Sequence, residues 1–202
     1  MARRQQQILV ILGHPAADSL CAGMARAYAE GARQAGAEVR WLPVGGLDFD
    51  PLLHGGYRGD QPLEPDLAAA QGDIRWASHI AWVYPIWWGG LPALLKGFID
   101  RVFLPGYAFR YRKGSSLWDR LLAGRSAELL VTMDSPPWYF RWVVHMPGHH
   151  QMKKAILEFC GIRPVQVHSF GPVRTASQPI RIRAKTGRTL RATSDMKPSG
   201  KR

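Results

Sequence analysis

The chain has 202 residues, of which 46% are hydrophobic, and it carries 27 Lys and Arg against 15 Asp and Glu. This composition is that of a globular domain and excludes an intrinsically disordered chain. No apolar run reaches the roughly 20 residues that cross a bilayer, and the run Ile8–Leu12 is too short for a secretory signal. The two cysteines, Cys21 and Cys160, are too few for a disulfide framework, which is typical of proteins in a reducing compartment. We therefore expect a cytoplasmic protein.

The net charge of +12 is concentrated at the C-terminal end of the chain. Arg174–Arg202 holds nine Lys and Arg and one Asp, and it is rich in Thr, Ser, Gly and Pro. We therefore predict a folded domain at residues 1–173 and a flexible basic tail at residues 174–202. Charge alone suggests nucleic-acid binding, but no recognition motif accompanies it, so no specific nucleic-acid partner is expected.

Predicted strands and helices alternate along the chain. Ile8–Leu12 has the continuous apolar pattern of a buried parallel strand. Ser19 is a good N-cap for a helix over Leu20–Gln34, and Gly36 ends that helix. The remaining predicted elements are strands at Glu38–Leu42, Ile80–Tyr84, Leu129–Thr132 and Pro164–Phe170, helices at Asp66–Trp76, Pro92–Leu104 and His149–Cys160, and a long loop at Gly45–Pro65.

This alternation, with no recognisable hairpin signal, predicts an α/β protein with a doubly wound parallel sheet. Right-handed crossovers place the C-terminal ends of all the strands on one rim, where ligands of such sheets bind. Three loops follow strand ends and are expected there: Gly13–Ser19, Pro85–Leu91 and Met133–Gly148.

The loop Gly13–Ser19 joins a strand to a helix N-terminus, which is a natural site for an anion. His14 and Ser19 add an imidazole and a hydroxyl, so a phosphate is a candidate ligand. The alternative is a capped helix with a surface histidine.

The segment Tyr84–Pro92 contains two adjacent tryptophans and two adjacent glycines, Trp87-Trp88-Gly89-Gly90. Two neighbouring Trp side chains in a strand-end loop cannot both face one core, and the glycines allow a flat surface to approach the backbone. We predict a flat aromatic ligand here. The alternative is that both tryptophans fill a gap beneath the loop.

The segment from Thr132 to His145 brings Tyr139 and His145 near the end of the fourth strand. A tyrosine and a histidine form a plausible proton-donating pair. The same aromatic segment also suits a contact between two copies of the chain.

Taken together, these loops resemble the NAD(P)H:quinone oxidoreductase family, across roughly Ile8 to Gly171. The segments Leu95–Val102, Tyr107–Phe109 and Ile156–Gly161 add to the likeness. The resemblance implies a flavodoxin-like three-layer sandwich whose five-stranded parallel sheet has the order 2-1-3-4-5, with helices on both faces.

The resemblance also implies a noncovalent flavin, FAD or FMN, that takes hydride from NAD(P)H and reduces a quinone in a ping-pong cycle, with no metal ion. By position, Tyr139 and His145 stabilise charge on the reduced flavin. The implied cofactor contacts are His14, Ser19, Leu20 and Cys21 on the phosphate side, Pro85, Ile86, Trp87, Trp88 and Gly89 along the ring, and Thr132, Met133, Asp134 and Ser135 from the fourth strand.

Three features depart from the family pattern. Leu20-Cys21 stands where the family often has Phe-Asn, and Thr132-Met133-Asp134 stands where it has Thr-Gly-Gly. A negative charge at Asp134 would make flavin reduction harder unless the side chain points away. The tail Arg174–Arg202 lacks the apolar stripe of the family's last amphipathic helix.

The resemblance implies a homodimer, and the aromatic residues between Pro136 and His145 suit its interface. An alternative function is that of an ancillary flavin-binding subunit of a glutathione-gated potassium efflux system. In that case the basic tail would help the protein contact a membrane transporter.

Overall fold

The fold is described by a computed structural model that covers residues 5–59 and 61–175 and the backbone of residues 180–183 and 189–192. Its strands are β1 (Gln7–Leu12), β2 (Glu38–Pro43), β3 (His79–Pro85), β4 (Phe109–Tyr111), β5 (Trp118–Arg120), β6 (Ser126–Thr132), β7 (Val165–Phe170), β8 (Ile180–Arg183) and β9 (Thr189–Ala192). Its α-helices are α1 (Leu20–Gln34), α2 (Pro65–Trp76), α3 (Ala93–Val102), α4 (Pro137–Trp142) and α5 (Pro147–His150).

The main sheet has five strands in the order β2-β1-β3-β6-β7, and every neighbouring pair is parallel. Since β6 and β7 are the fourth and fifth parallel strands in the sequence, this is the predicted order 2-1-3-4-5. The flavodoxin-like α/β sandwich is thereby confirmed.

Two layers of helices cover the sheet because its central strands are apolar on both faces. In β1, Ile8 and Val10 pack against α1, whereas Leu9 and Ile11 pack on the opposite face with α2 and α3. This arrangement explains why β1 and β3 read as continuous apolar runs rather than alternating ones.

The predicted helix at His149–Cys160 is present but irregular. It begins at Pro147, is α-helical through His150, and continues as a π-helix over Gln151–Glu158. The other predicted helices and strands lie within three residues of their observed limits.

The structure contains a hairpin that no signal in the sequence predicted. Strands β4 and β5 pair antiparallel, with Phe109 opposite Arg120. Each strand has only three residues, too few for a period-two pattern, and tertiary contacts stabilise the pair. Trp118 stacks on Phe159 with ring centroids 4.5 Å apart and donates a hydrogen bond from Nε1 to the Phe159 carbonyl at 2.9 Å.

A second antiparallel hairpin, β8–β9, pairs Ile180 with Ala192, and both strands approach α1. Most of the predicted tail at 174–202 lies outside the described residues, so the boundary at residue 173 stays a prediction. Among the helices that are described, none has the length and apolar character needed to cross a membrane.

Candidate functional site

The C-terminal ends of the parallel strands bring the three predicted loops to one rim. The Gly13 N–H donates to the Val83 carbonyl at 2.8 Å, which ties the end of β1 to β3. The Ile86 N–H donates to the Thr132 carbonyl at 2.7 Å, which ties β3 to β6. The loops thus leave the sheet side by side, as predicted from the strand order.

Two adjoining clefts open at this rim. The larger has a volume of about 610 Å³ and the smaller about 480 Å³, both within the range of ligand pockets. The larger cleft is lined by Ile86, Trp87, Trp88, Gly89, Met133, Asp134, Ser135, Phe140, Val144 and Arg174, and the smaller by Asp134, Ser135, Pro136, Tyr139, Pro172, Arg174 and Thr175. The larger cleft therefore joins seven residues that the sequence predicted from two separate loops.

One wall of the larger cleft is a tight turn over residues 87–90. The Trp87 and Gly90 backbones exchange hydrogen bonds of 3.1 and 3.0 Å, and both residues between them have positive φ, +52° at Trp88 and +79° at Gly89. Positive φ is uncommon for a bulky side chain such as Trp88. The Trp88 side chain is fully exposed, so the alternative in which both tryptophans fill a gap beneath the loop is wrong.

The start of α5 supports this turn from outside. The Gly148 N–H donates to the Gly89 carbonyl at 2.9 Å. A Cβ at position 148 would lie 2.8 Å from Ile86 Cδ1 and 2.9 Å from the Gly89 oxygen, so only glycine allows this approach. Packing against α5 thus adds to the hydrogen bonds within the turn in holding its backbone.

His14 connects the first loop to the tryptophan turn. Its Nδ1 accepts a hydrogen bond from the Ala16 N–H at 2.9 Å, which places the proton of the neutral ring on Nε2. Burial lowers the pKa of His14, so the neutral form is favoured. The ring meets Trp87 edge to face with centroids 5.4 Å apart.

The helix N-terminus of α1 is capped by Ser19, as predicted. The Ser19 hydroxyl donates to the Ala16 carbonyl at 2.9 Å and accepts from the Ala22 N–H at 3.2 Å. Leu20, the first residue of the helix, is half-buried. Because the Ser19 hydroxyl serves the cap, the predicted phosphate contacts at this end depend mainly on backbone N–H groups.

Cys21 and Thr132 point into the protein rather than toward the rim. Cys21 Sγ lies 3.3 Å from Thr132 Oγ1, and both side chains are buried. Burial raises the pKa of the Cys21 thiol to about 11, which keeps it protonated and unreactive. Any ligand contact from these two residues therefore involves their backbone.

Asp134 faces the clefts, but its charge is balanced. Its carboxylate accepts a hydrogen bond from the Arg174 guanidinium at 2.9 Å, and both side chains are exposed and line both clefts. The pair reduces the unfavourable field that an isolated Asp134 would impose on a group reduced in the cleft.

Tyr139 and His145 occupy different positions around the clefts. Tyr139 lines the smaller cleft and is partly exposed. His145 lies in the exposed turn between α4 and α5 with φ +61°, and it is not among the described residues that line either cleft. Their predicted roles as proton donors stay predictions.

Three residues that line the larger cleft were not predicted. Phe140 and Val144 have the i,i+4 spacing of one helical face, a signal that the sequence contains. The predicted domain boundary placed Arg174 in the tail, and no local sequence pattern identifies it as a residue of the cleft. Behind Phe140, the buried ring of His149 packs edge to face at 5.1 Å and bonds Ser169 Oγ through Nε2 at 2.8 Å.

Comparison with known proteins agrees with this geometry. The sequence model of the family described as Flavodoxin-like fold matches residues 6–192. The chain is 28% identical over 170 residues to an uncharacterized NAD(P)H oxidoreductase of Haemophilus influenzae, covering 82% of this chain and 83% of that protein. It is 26% identical to NAD(P)H dehydrogenase [quinone] 1 of Rattus norvegicus, covering 82% and 70% of the two chains. The structure of Smu.1420 from Streptococcus mutans superposes with a TM-score of 0.69 at 27% identity, covering 85% and 90%.

Proposed function

This chain belongs to the Flavodoxin_2 family of the flavodoxin-like fold, and from that starting point we propose that it is a flavin-dependent NAD(P)H oxidoreductase that reduces quinone-type acceptors. The names of its relatives in H. influenzae and rat support both the nicotinamide donor and the quinone acceptor. The observation that carries the proposal is the larger cleft, where an exposed tryptophan turn meets the apolar side chains of a second loop at the strand ends.

The cleft suits a flat, partly apolar cofactor with a phosphate. Its wall at Trp87 and Trp88 offers aromatic surface, while Met133 and Phe140 offer apolar surface from the other side. The Nε2–H of neutral His14 and the N-terminus of α1 provide donors on the phosphate side. When bound, a flavin supplies the two-electron chemistry, accepting hydride from NAD(P)H and delivering it to the acceptor.

The residues of this chain would then bind and orient the flavin and balance the charge that develops on it. The turn at Trp88-Gly89 forms one wall for the ligand, Met133 and Phe140 lie on the other side, and the cleft opens to solvent at its mouth. One open mouth implies that donor and acceptor use the same place in turn. In the complete cycle, NAD(P)H, one proton and a quinone give NAD(P)+ and a hydroquinone.

Tyr139 and Arg174 at the clefts, together with His145 in the turn between α4 and α5, can stabilise the charge that accompanies reduction. Tyr139 and His145 each carry a proton that can be donated in a hydrogen bond. Arg174 adds a fixed positive charge beside Asp134.

A steady-state assay tests this function. Purified protein loaded with FMN or FAD should oxidise NADH or NADPH rapidly over many turnovers when a soluble benzoquinone or naphthoquinone is present, with parallel lines in the double-reciprocal plots. Flavin-loaded protein that oxidises neither nucleotide with any quinone would refute the proposed activity.

One further expectation concerns the assembly of the protein. A homodimer remains the predicted assembly, and light scattering of the purified protein measures it. No observation in the described residues or in the relatives reported above favours the alternative of an ancillary transporter subunit, so we do not propose it.

A further inference from the structure

The smaller cleft differs from the larger one in the side chains that line it. Hydroxyl groups on Ser135, Tyr139 and Thr175 lie there beside the charged pair of Asp134 and Arg174. Among the described residues, none from the loop 13–19 or from the tryptophan turn lines this cleft. The flavin proposed for the larger cleft has aromatic and apolar walls, so the smaller cleft is suited to a different chemical group.

The backbone after β7 holds Arg174 at the clefts. The Val173 N–H donates to the Met133 carbonyl at 3.0 Å, beyond the last residues of β6 and β7. A Cβ at Gly171 would lie 2.6 Å from the Met133 oxygen and 2.8 Å from the Ser135 oxygen, so this segment packs directly on the loop that follows β6. The packing directs the next residues toward the site, and Arg174 lines both clefts.

Most hydrogen-bond donors of the Arg174 guanidinium are available to a ligand. A guanidinium presents its N–H groups in a planar fork that matches the oxygens of a phosphate. Within the described residues, the one hydrogen bond that this group makes runs from Nη2 to Asp134 Oδ2 at 2.9 Å. The side chain of Arg174 is 82% exposed and that of Asp134 is 54% exposed, and exposed ion pairs of this kind are weak. An anion can therefore bind the guanidinium in competition with Asp134.

The position of the smaller cleft favours one kind of anion. The flavin phosphate is already proposed to bind at His14 and the N-terminus of α1, which do not belong to this cleft. The two clefts adjoin at Asp134, Ser135 and Arg174. A ligand that places a flat ring at the mouth of the larger cleft can therefore extend an anionic group into the smaller one. NAD(P)H has this form, because a diphosphate follows its nicotinamide ribose.

We propose that the smaller cleft binds the diphosphate of NAD(P)H, with Arg174 as the residue that binds the anion and Asp134 as its competitor. Binding of a diphosphate is independent of the reaction, whereas the identification of the ligand as NAD(P)H rests on the proposed function. Arg174 binds the diphosphate through charge-assisted hydrogen bonds. The Asp134 carboxylate pairs with the guanidinium when the donor is absent and repels the diphosphate when it is present. The two residues therefore affect the affinity for the donor in opposite directions.

Calorimetric titration with ADP-ribose, which has the diphosphate but no nicotinamide, tests the subsite on the full-length protein with FMN in excess. Arg174→Gln should weaken ADP-ribose binding at least about tenfold, because hydrogen bonds from a charged donor are lost. Asp134→Asn should tighten it about threefold, because a repulsive charge is removed. Arg163→Gln is the matched control and should bind like the wild type, since Arg163 is an exposed arginine that pairs with Glu158 at 3.8 Å before the start of β7.

The opposite signs matter because both variants break the same ion pair. If Arg174→Gln and Asp134→Asn both weaken ADP-ribose binding, the pair has only a structural role and the proposal is overturned. Wild-type affinity in Arg174→Gln, or no ADP-ribose binding by the wild type, also overturns it. If Arg174→Gln weakens the binding of FMN but not that of ADP-ribose, the smaller cleft serves the flavin instead, with the same consequence.

Steady-state kinetics test whether the diphosphate is that of the donor. N-benzyl-dihydronicotinamide carries the reacting ring but no phosphate, and any effect of Arg174 on the reduced flavin applies to both donors. Arg174→Gln should therefore lower kcat/KM for NADH or NADPH at least about fivefold more than for the benzyl compound. An equal loss for both donors, or a loss seen only with an anionic quinone, would overturn the assignment to NAD(P)H. If the wild type oxidises neither donor, the proposed function fails, while the ADP-ribose titration still decides whether the smaller cleft binds a diphosphate.

Discussion

At the scale of single residues, Tyr139 and His145 are the two side chains proposed to donate protons during reduction. Removing one donor to a developing negative charge typically slows a reaction about a hundred- to a thousand-fold. We expect His145→Ala and Tyr139→Phe to slow reduction of the bound flavin by NAD(P)H to this extent without loss of flavin. Stopped-flow spectroscopy measures the rate, with His54→Ala, an exposed histidine far along the chain, as control.

If both variants reduce the flavin at the wild-type rate, Tyr139 and His145 have only structural roles. His149 is no ready substitute, because its ring is buried behind Phe140 and bonded to Ser169. His150, next to His149, is exposed and could donate a proton in place of His145. A double variant that changes both His145 and His150 tests for this substitution.

Two histidines outside the clefts should affect stability with opposite pH dependence. Burial lowers the pKa of His149 from 6.5 to about 4, so as the pH falls below 6.5 the unfolded chain binds a proton that the folded chain does not. The neighbouring Glu128 carboxylate, which accepts from the His168 ring, raises the pKa of His168 above 6.5. The stability that protonated His168 contributes is therefore full below 6.5 and is lost as the pH rises through its folded-state pKa.

Urea unfolding of two variants at about pH 8 and about pH 5 checks these signs. His149→Gln should lose less stability than the wild type between pH 8 and pH 5, because the group that resists protonation is gone. His168→Gln should be destabilised chiefly at pH 5. The same pH dependence in both variants would contradict the assignment.

At the scale of elements, the contact between α5 and the tryptophan turn decides the shape of the larger cleft. Because a Cβ at Gly148 would press on Ile86 and on the Gly89 carbonyl, Gly148→Ala should cost about 1–3 kcal/mol in the free energy of unfolding and weaken flavin binding. Gly72→Ala is the matched control, since Gly72 lies in α2 with no atom within 4 Å of the added methyl, and it should gain up to about 1 kcal/mol.

Thermal or urea unfolding measures both glycine variants, and flavin titration measures the cleft. A Gly148→Ala protein as stable as the wild type, with unchanged flavin affinity, would show that α5 does not fix the turn.

The central strands β1, β3 and β6 were predictable because each contains a continuous apolar run, and α1 was predictable because Ser19 and Gly36 mark its two ends. Hairpin β4–β5 was not, since its stability comes from the contact of Trp118 with Phe159, 41 residues away. In the candidate site, the sequence correctly placed Trp87 and Trp88 at the rim because they come directly after β3. The inward orientation of Cys21 and the approach of Arg174 depend on packing between distant segments, which no local pattern records.

At the scale of the whole molecule, the predicted boundary at residue 173 separates the predicted flavin-binding domain, residues 1–173, from the predicted basic tail. Ending the chain after Thr175 should leave flavin content and NAD(P)H oxidation nearly unchanged and should shift the melting temperature by less than about 3 °C. A melt of the two proteins side by side measures this. A large drop would mean that hairpin β8–β9, which approaches α1, is part of the domain.

The central claim is that the larger cleft binds flavin, and a titration of the purified protein with FMN and with FAD, followed by absorbance and fluorescence quenching, tests it most directly. We expect stoichiometric binding of at least one flavin by the wild type. Trp88→Ala should bind roughly tenfold more weakly, while Trp41→Ala, on β2 away from both clefts, should bind like the wild type. A wild-type protein that binds neither flavin, or equal affinities of the two variants, would contradict the account.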